Sequence, residues 1–161
     1  MSPVFFGGGH EKGLRPGTMN VPAIVGFAKA AALAQERTWD DAREMSRLRT
    51  MLEQSLSTNG MGYVLGSVKD RLPNTTNILF PGFKAETIMT RFPQLAVATG
   101  SACTSALPEP SHVLKAMGLN DDEAHSAIRF SLGRNTTENE INKTIEGVLQ
   151  IIQKHPHLSG T

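Results

Sequence analysis

The sequence predicts an α/β protein, a small sheet with helices packed on it and reached through one long helical stretch. Three observations carry this. A helical stretch runs from about 21 to 57, rich in Ala in its first half and with apolar residues at spacings of three and four in its second. Short runs cut off by Pro and Gly follow at 63–65, 76–80, 95–98 and 127–132. A capped amphipathic run, 137–154, comes last.

Each element has a local reason. Gly7-Gly8-Gly9-His10-Glu11-Lys12-Gly13 resists regular structure, because ordering glycine removes the most backbone freedom. Asn20 can cap the long helix, and Pro22 is tolerated in its first turn. From Ala23 to Ala34 the stretch is rich in Ala and other apolar residues and reads as broadly buried. Its second half is amphipathic through Trp39, Ala42, Met45, Leu48, Leu52 and Leu56, with Arg49 and Glu53 one turn apart. Thr38-Trp39-Asp40-Asp41 could divide it into two helices with Thr38 as the second cap, and Asn59-Gly60 stops it.

Beyond this point Tyr63–Leu65 and Thr76–Phe80 read as strands, the second ended by Pro81-Gly82. Ala85 to Phe92 reads as a short helix and Leu95 to Ala98 as a strand. Ser111 can cap a helix to Met117 that Gly118 ends. Ala127 to Leu132 alternates like a strand, and Thr137 with Glu140 forms a capping-box pattern. The tail, 155–161, is expected to fray.

Composition narrows the function. With 161 residues the chain suits about one domain and can bury a core. The near balance of 16 basic and 15 acidic residues gives no electrostatic case for nucleic acid or an acidic membrane surface. One cysteine excludes an intramolecular disulfide framework and a multi-cysteine metal site, and fits a reducing compartment. The five histidines form no metal pattern. The start lacks the features of a signal peptide, and no apolar run reaches membrane-spanning length. A soluble, cytoplasmic protein is expected.

Two residues stand out chemically. Cys103 lies in Ala98-Thr99-Gly100-Ser101-Ala102-Cys103-Thr104-Ser105, among small residues that build no apolar wall, ahead of Leu107-Pro108-Glu109-Pro110. This reads as a reachable thiol on a loop at 99–110, against the alternative of a small buried hydrophobe. Arg129 sits inside a strand pattern between Ile128 and Phe130. It either points to solvent on the open face or aims its guanidinium at a carboxylate. Arg134, His112 and Glu109 read as surface, capping and loop residues. Arg15, Gly17 and Thr18 combine a cation, a close backbone approach and a hydroxyl, a weak signal for an anion contact.

The motifs together resemble a known family. Gly7-Gly8-Gly9-His10-Glu11-Lys12-Gly13-Leu14-Arg15-Pro16-Gly17-Thr18-Met19-Asn20 is similar to a glycine-rich segment of cysteine desulfurases. Thr99 to Ser105 resembles their catalytic-cysteine loop. Glu109 to Gly118 and Ser126 to Arg134 continue the likeness in order, and the long loop after Cys103 resembles the NifS/IscS-like group. The resemblance implies the small domain of a fold-type I pyridoxal 5'-phosphate enzyme of the class V aminotransferase type. Residues 1–20 would end the large domain, 21–58 would form the linking helix or helix pair, and 59–154 would form the small domain. The implied homodimer converts L-cysteine to L-alanine and leaves a persulfide on the loop cysteine, for iron–sulfur cluster assembly or other sulfur transfer. Cys103 would be the nucleophile and Arg129 the holder of the substrate carboxylate. Thr18 and Gly17 would reach the cofactor phosphate of the opposite subunit, with Arg15 in the same motif.

The family's Schiff-base lysine, in a His-Lys motif, precedes the glycine-rich segment, as do the aspartate and histidine that contact the cofactor ring. This chain begins after them, so it resembles the C-terminal part alone and is expected to be inactive by itself. None of its lysines has the required surroundings, Lys12 included. Three functions stay open: a fragment or half of a split desulfurase, a non-catalytic persulfide carrier using Cys103, and an interaction module for a full-length desulfurase or an iron–sulfur scaffold. A clamp at Arg129 and a phosphate contact at Thr18 favour the first.

Overall fold

The computed structural model describes residues 2–99 and 110–154. The chain divides into two compact units, Met1–Trp39 and Asp40–Thr161.

In the first unit, no described residue is buried. Its glycine-rich segment forms only a short 3-10 turn, Glu11–Gly13, in which Glu11, Lys12 and Gly13 all have positive φ (53°, 56° and 80°). Asn20 caps the following helix as expected, its Oδ1 accepting from the Ala23 N–H at 3.2 Å. That helix, α1, runs unbroken over Val21–Leu56 into the second unit. The possible division at Thr38 does not occur. Thr38 Oγ1 donates back to the Ala34 carbonyl, a bond compatible with a helix interior, and so serves no second cap.

The reading of Ala23–Ala34 as buried is overturned, since all but one of these side chains are exposed and none is buried. Trp39 is also exposed, at 80 %. Apolar content alone does not bury a helix; an opposing surface is needed.

The second unit has that opposing surface. Strands β1 (Tyr63–Leu65), β2 (Thr75–Leu79) and β3 (Ala127–Ser131) form an antiparallel sheet in the order β1-β2-β3. Ile78 pairs with Ile128 and Thr76 with Phe130 on its buried face. Against them pack Leu48, Leu52 and Leu56 of α1, Ile88 of α2 (Ala85–Arg91), and Ile141, Val148 and Ile152 of α5 (Glu138–Lys154). The helical spacing of both stripes places these side chains on one face each. The expected capping box starts α5: Thr137 donates its N–H to Glu140 Oε2 at 2.7 Å, and Glu140 donates its own to Thr137 Oγ1 at 3.3 Å. The Thr137 N–H, and then the Thr137 hydroxyl, both donating to Oε2, hold the Glu140 carboxyl below the usual carboxylate range.

Two short helices, α3 (His112–Ala116) and α4 (Asp121–His125), lie before β3. Ser111 precedes α3 without bonding through its side chain. Helix α4 was not expected, although Asn120 and Glu123 form a full capping box for it. Leu114 of α3 and Ala124 of α4 make a second small core with Ala127, joined by Leu65 and Leu119.

The expected strand Leu95–Ala98 shrinks to one bridge, Ala98 to Arg129. Leu95 and Val97 pack against the core, but of this segment only Ala98 pairs its backbone with the sheet among the described residues. Among the described residues no helix is long and apolar enough to cross a membrane.

Candidate functional site

Arg129 stands in the middle of β3, with Ala127 and Ile128 buried before it and Phe130 buried after it. Alternation turns its side chain to the face opposite Ile128 and Phe130, the face that carries the small core at Ala127 and Leu65, and there Arg129 is exposed. Among the described residues its guanidinium has neither an ion-pair partner nor a hydrogen bond. A guanidinium in this setting can take a carboxylate through two N–H groups.

The bridge to Ala98 fixes what lies beside it. The Arg129 N–H donates to the Ala98 carbonyl at 2.7 Å, and the Ala98 N–H donates to the Arg129 carbonyl at 3.2 Å. The chain leaves Ala98 toward Cys103, five residues further on in sequence. Cys103 itself lies outside the described residues.

Because Arg129 directs both backbone groups to Ala98, it faces Asn77 of β2 as a non-hydrogen-bonded pair. In this register facing side chains approach most closely. Leu65 stands opposite Asn77 on the other side, so one row crosses the sheet as Leu65, Asn77, Arg129 and Ala98. Sequence reasoning passed over Asn77. The signal was available, since asparagine is depleted in strands and this one interrupts an otherwise suitable run.

In the first unit, the Arg15 guanidinium folds back on its own segment, with Nη1 donating to the Gly17 carbonyl at 2.9 Å and the Thr18 carbonyl at 3.1 Å. Gly17 has φ +94°, a region side-chain-bearing residues rarely adopt, and a Cβ placed there would meet nothing within 4 Å. Among the described residues, neither the Gly17 nor the Thr18 N–H has a backbone acceptor. An exposed hydroxyl, two uncommitted N–H groups and a nearby guanidinium suit an anion such as a phosphate.

Two other sequence candidates do not join these residues, and Glu109 lies outside the described residues. His112 is exposed at the start of α3, and Arg134 is exposed after β3. No group of three or more His, Cys, Asp or Glu residues among those described could hold a metal ion. A groove of about 920 Å³ between the Phe92–Leu95 segment and α5 includes neither Arg129 nor Asn77.

Comparison with known proteins gives these residues a context. The chain is 45 % identical over 154 residues to the cysteine desulfurase IscS of Anaeromyxobacter sp. (strain Fw109-5), covering 95 % of this chain and 38 % of the relative. It is 43 % identical over 159 residues to that of Mannheimia succiniciproducens, covering 99 % and 39 %. The chain thus spans about two fifths of the length of these curated relatives. A solved NifS-like protein from Rickettsia africae superposes with a TM-score of 0.76 at 33 % identity, over 94 % of this chain and 40 % of that one. A second solved NifS-like protein gives 0.77, also at 33 % identity. A family model described as aminotransferase class-V matches residues 5–144. The chain belongs to the aminotransferase class-V family.

Proposed function

We propose that this chain supplies the nucleophile and the carboxylate clamp of a cysteine desulfurase. The carrying observation is the Ala98–Arg129 bridge, which joins the cysteine-bearing segment to the strand whose guanidinium has no partner among the described residues. Arg129 holds the carboxylate of L-cysteine and thereby fixes the distance from the substrate sulfur to the incoming thiolate. Cys103, deprotonated, attacks that sulfur. The new S–S bond forms as the substrate Cβ–S bond breaks, and Cβ gains the electron pair and then a proton. L-Cysteine and the Cys103 thiol become L-alanine and a Cys103 persulfide, with no external oxidant or reductant. The persulfide is then passed to a sulfur acceptor, such as an iron–sulfur scaffold protein.

Thr18, Gly17 and Arg15 would hold the phosphate of pyridoxal 5'-phosphate, which when bound supplies an electron sink for the substrate's carbon skeleton. The seven lysines of the chain, Lys12 included, have none of the surroundings that the family's cofactor lysine requires. We propose that the polypeptide by itself turns over no cysteine. The exposed Phe5, Phe6, Val25 and Phe27 support pairing with the part of the relatives that this chain does not span.

The test is a chimera in which this chain replaces the matching segment of the Mannheimia succiniciproducens relative. It should release alanine from L-cysteine and carry one extra sulfur on Cys103 by mass, and C103S should do neither. A folded chimera that binds the cofactor but releases no alanine would overturn the proposal. Alanine released by the unmodified chain alone would overturn its inactivity.

A further inference from the structure

Asn77 and Arg129 present two complementary unmet needs side by side. Asn77 Oδ1 is buried and has no hydrogen-bond partner among the described residues. A buried acceptor without a donor carries its full desolvation penalty. Across the strand pair stands Arg129, with five N–H donors and no acceptor for them among the described residues. Their register is the one that brings facing side chains closest. Leu65, on the far side of Asn77, belongs to the small apolar core with Leu114 and Ala124 and offers its oxygen no side-chain donor. Of the four side chains in this row the guanidinium alone offers Asn77 Oδ1 a donor from outside, although the two make no hydrogen bond in the structure.

We propose that Asn77 is the positioning residue for Arg129. Its side-chain carbonyl accepts one guanidinium N–H and fixes the orientation of the fork, leaving a pair of N–H groups directed outward to a carboxylate. A neutral amide suits the task. It holds the cation without neutralising it, whereas a carboxylate at this position would occupy the fork and compete with the incoming anion. This role rests on the reading of Arg129 as the carboxylate clamp.

The experiment uses the full chain labelled with ¹⁵N, following the Arg129 Nε–H signal assigned with R129K. L-Alanine is the probe carboxylate. N77L should speed solvent exchange of this proton by about tenfold or more, the effect of losing an ordering hydrogen bond. Unchanged exchange in a folded N77L would overturn the proposal. N77D should increase protection of the same proton, and that gain should vanish as pH falls through the carboxylate range. N77D should also weaken any L-alanine binding by at least about tenfold. If N77D leaves the Arg129 signal untouched, position 77 is out of reach of the guanidinium and the proposal fails, even where N77L does not fold. If L-alanine moves no Arg129 signal in the unmodified chain, the clamp reading fails, while the N77L and N77D exchange rates still decide the contact.

Discussion

Residues 2–39 and residues 40–154 are both supplied with apolar side chains, yet only the second region buries any. Phe27 is 77 % exposed and Phe80 not at all. Helix α1 makes the contrast within one element, because it crosses from the first region to the second without a break. Its C-terminal half meets the sheet and α5 through Leu48, Leu52 and Leu56, while its N-terminal half carries Ala and Val on open faces. Hydrophobicity is thus a requirement for a counterpart rather than a guarantee of one. A long stretch of uncovered apolar surface marks a face that other protein can cover.

The sharpest break of this comparison is a pair of truncations measured by urea unfolding. F80A should destabilise the chain by about 3–5 kcal/mol, since a fully buried ring leaves a cavity. F27A and W39A should each change stability by less than about 0.5 kcal/mol, because neither removes a buried contact. A large loss for either exposed residue would show that the first region is covered within the chain. The double variant F27S/W39S should lower self-association in sedimentation while leaving the unfolding midpoint in place.

Gly147 tests packing within the second region. A Cβ there would lie 2.8 Å from Cδ1 of the Phe92 ring and closer still to Cε1. G147A should therefore cost about 1 kcal/mol net, as ring displacement outweighs the improved helix propensity. A gain in stability would mean that Phe92 swings aside freely.

The smallest effects concern the capping box of α5. T137A should cost about 1 kcal/mol through loss of the cap. Glu140 adds a pH dependence. Its carboxyl is held low mainly by the Thr137 N–H, and then by the Thr137 hydroxyl. Its contribution is accordingly complete above the ordinary carboxylate pKa and fades as pH falls through the lowered folded value. E140Q should flatten this part of the acid unfolding curve, and a curve unchanged from that of the unmodified chain would remove the cap from the account.

Much of the fold was legible because its signals are local. Asn20, Thr137 with Glu140, and Asn59-Gly60 mark element ends through backbone chemistry that needs no tertiary partner. Helix α4 was equally marked by Asn120 and Glu123 and went unread, its five residues being too few for periodicity to register. The Leu95–Ala98 strand failed for a different reason. Alternation reports which side chains face the core, not whether the backbone finds a partner, and only Ala98 found one.

For the candidate site the same division holds. One cysteine among small neighbours, an arginine inside a strand pattern and a glycine-bearing anion motif are legible along the chain. Residue chemistry and order along the chain are enough to specify these. That Arg129 bonds to Ala98 on one side and faces Asn77 on the other emerges with the folded sheet. Strand register joins segments about fifty residues apart in the case of Asn77 and Arg129. That pairing is selected by burial of Ile78 against Ile128, so no local pattern around Arg129 contains it.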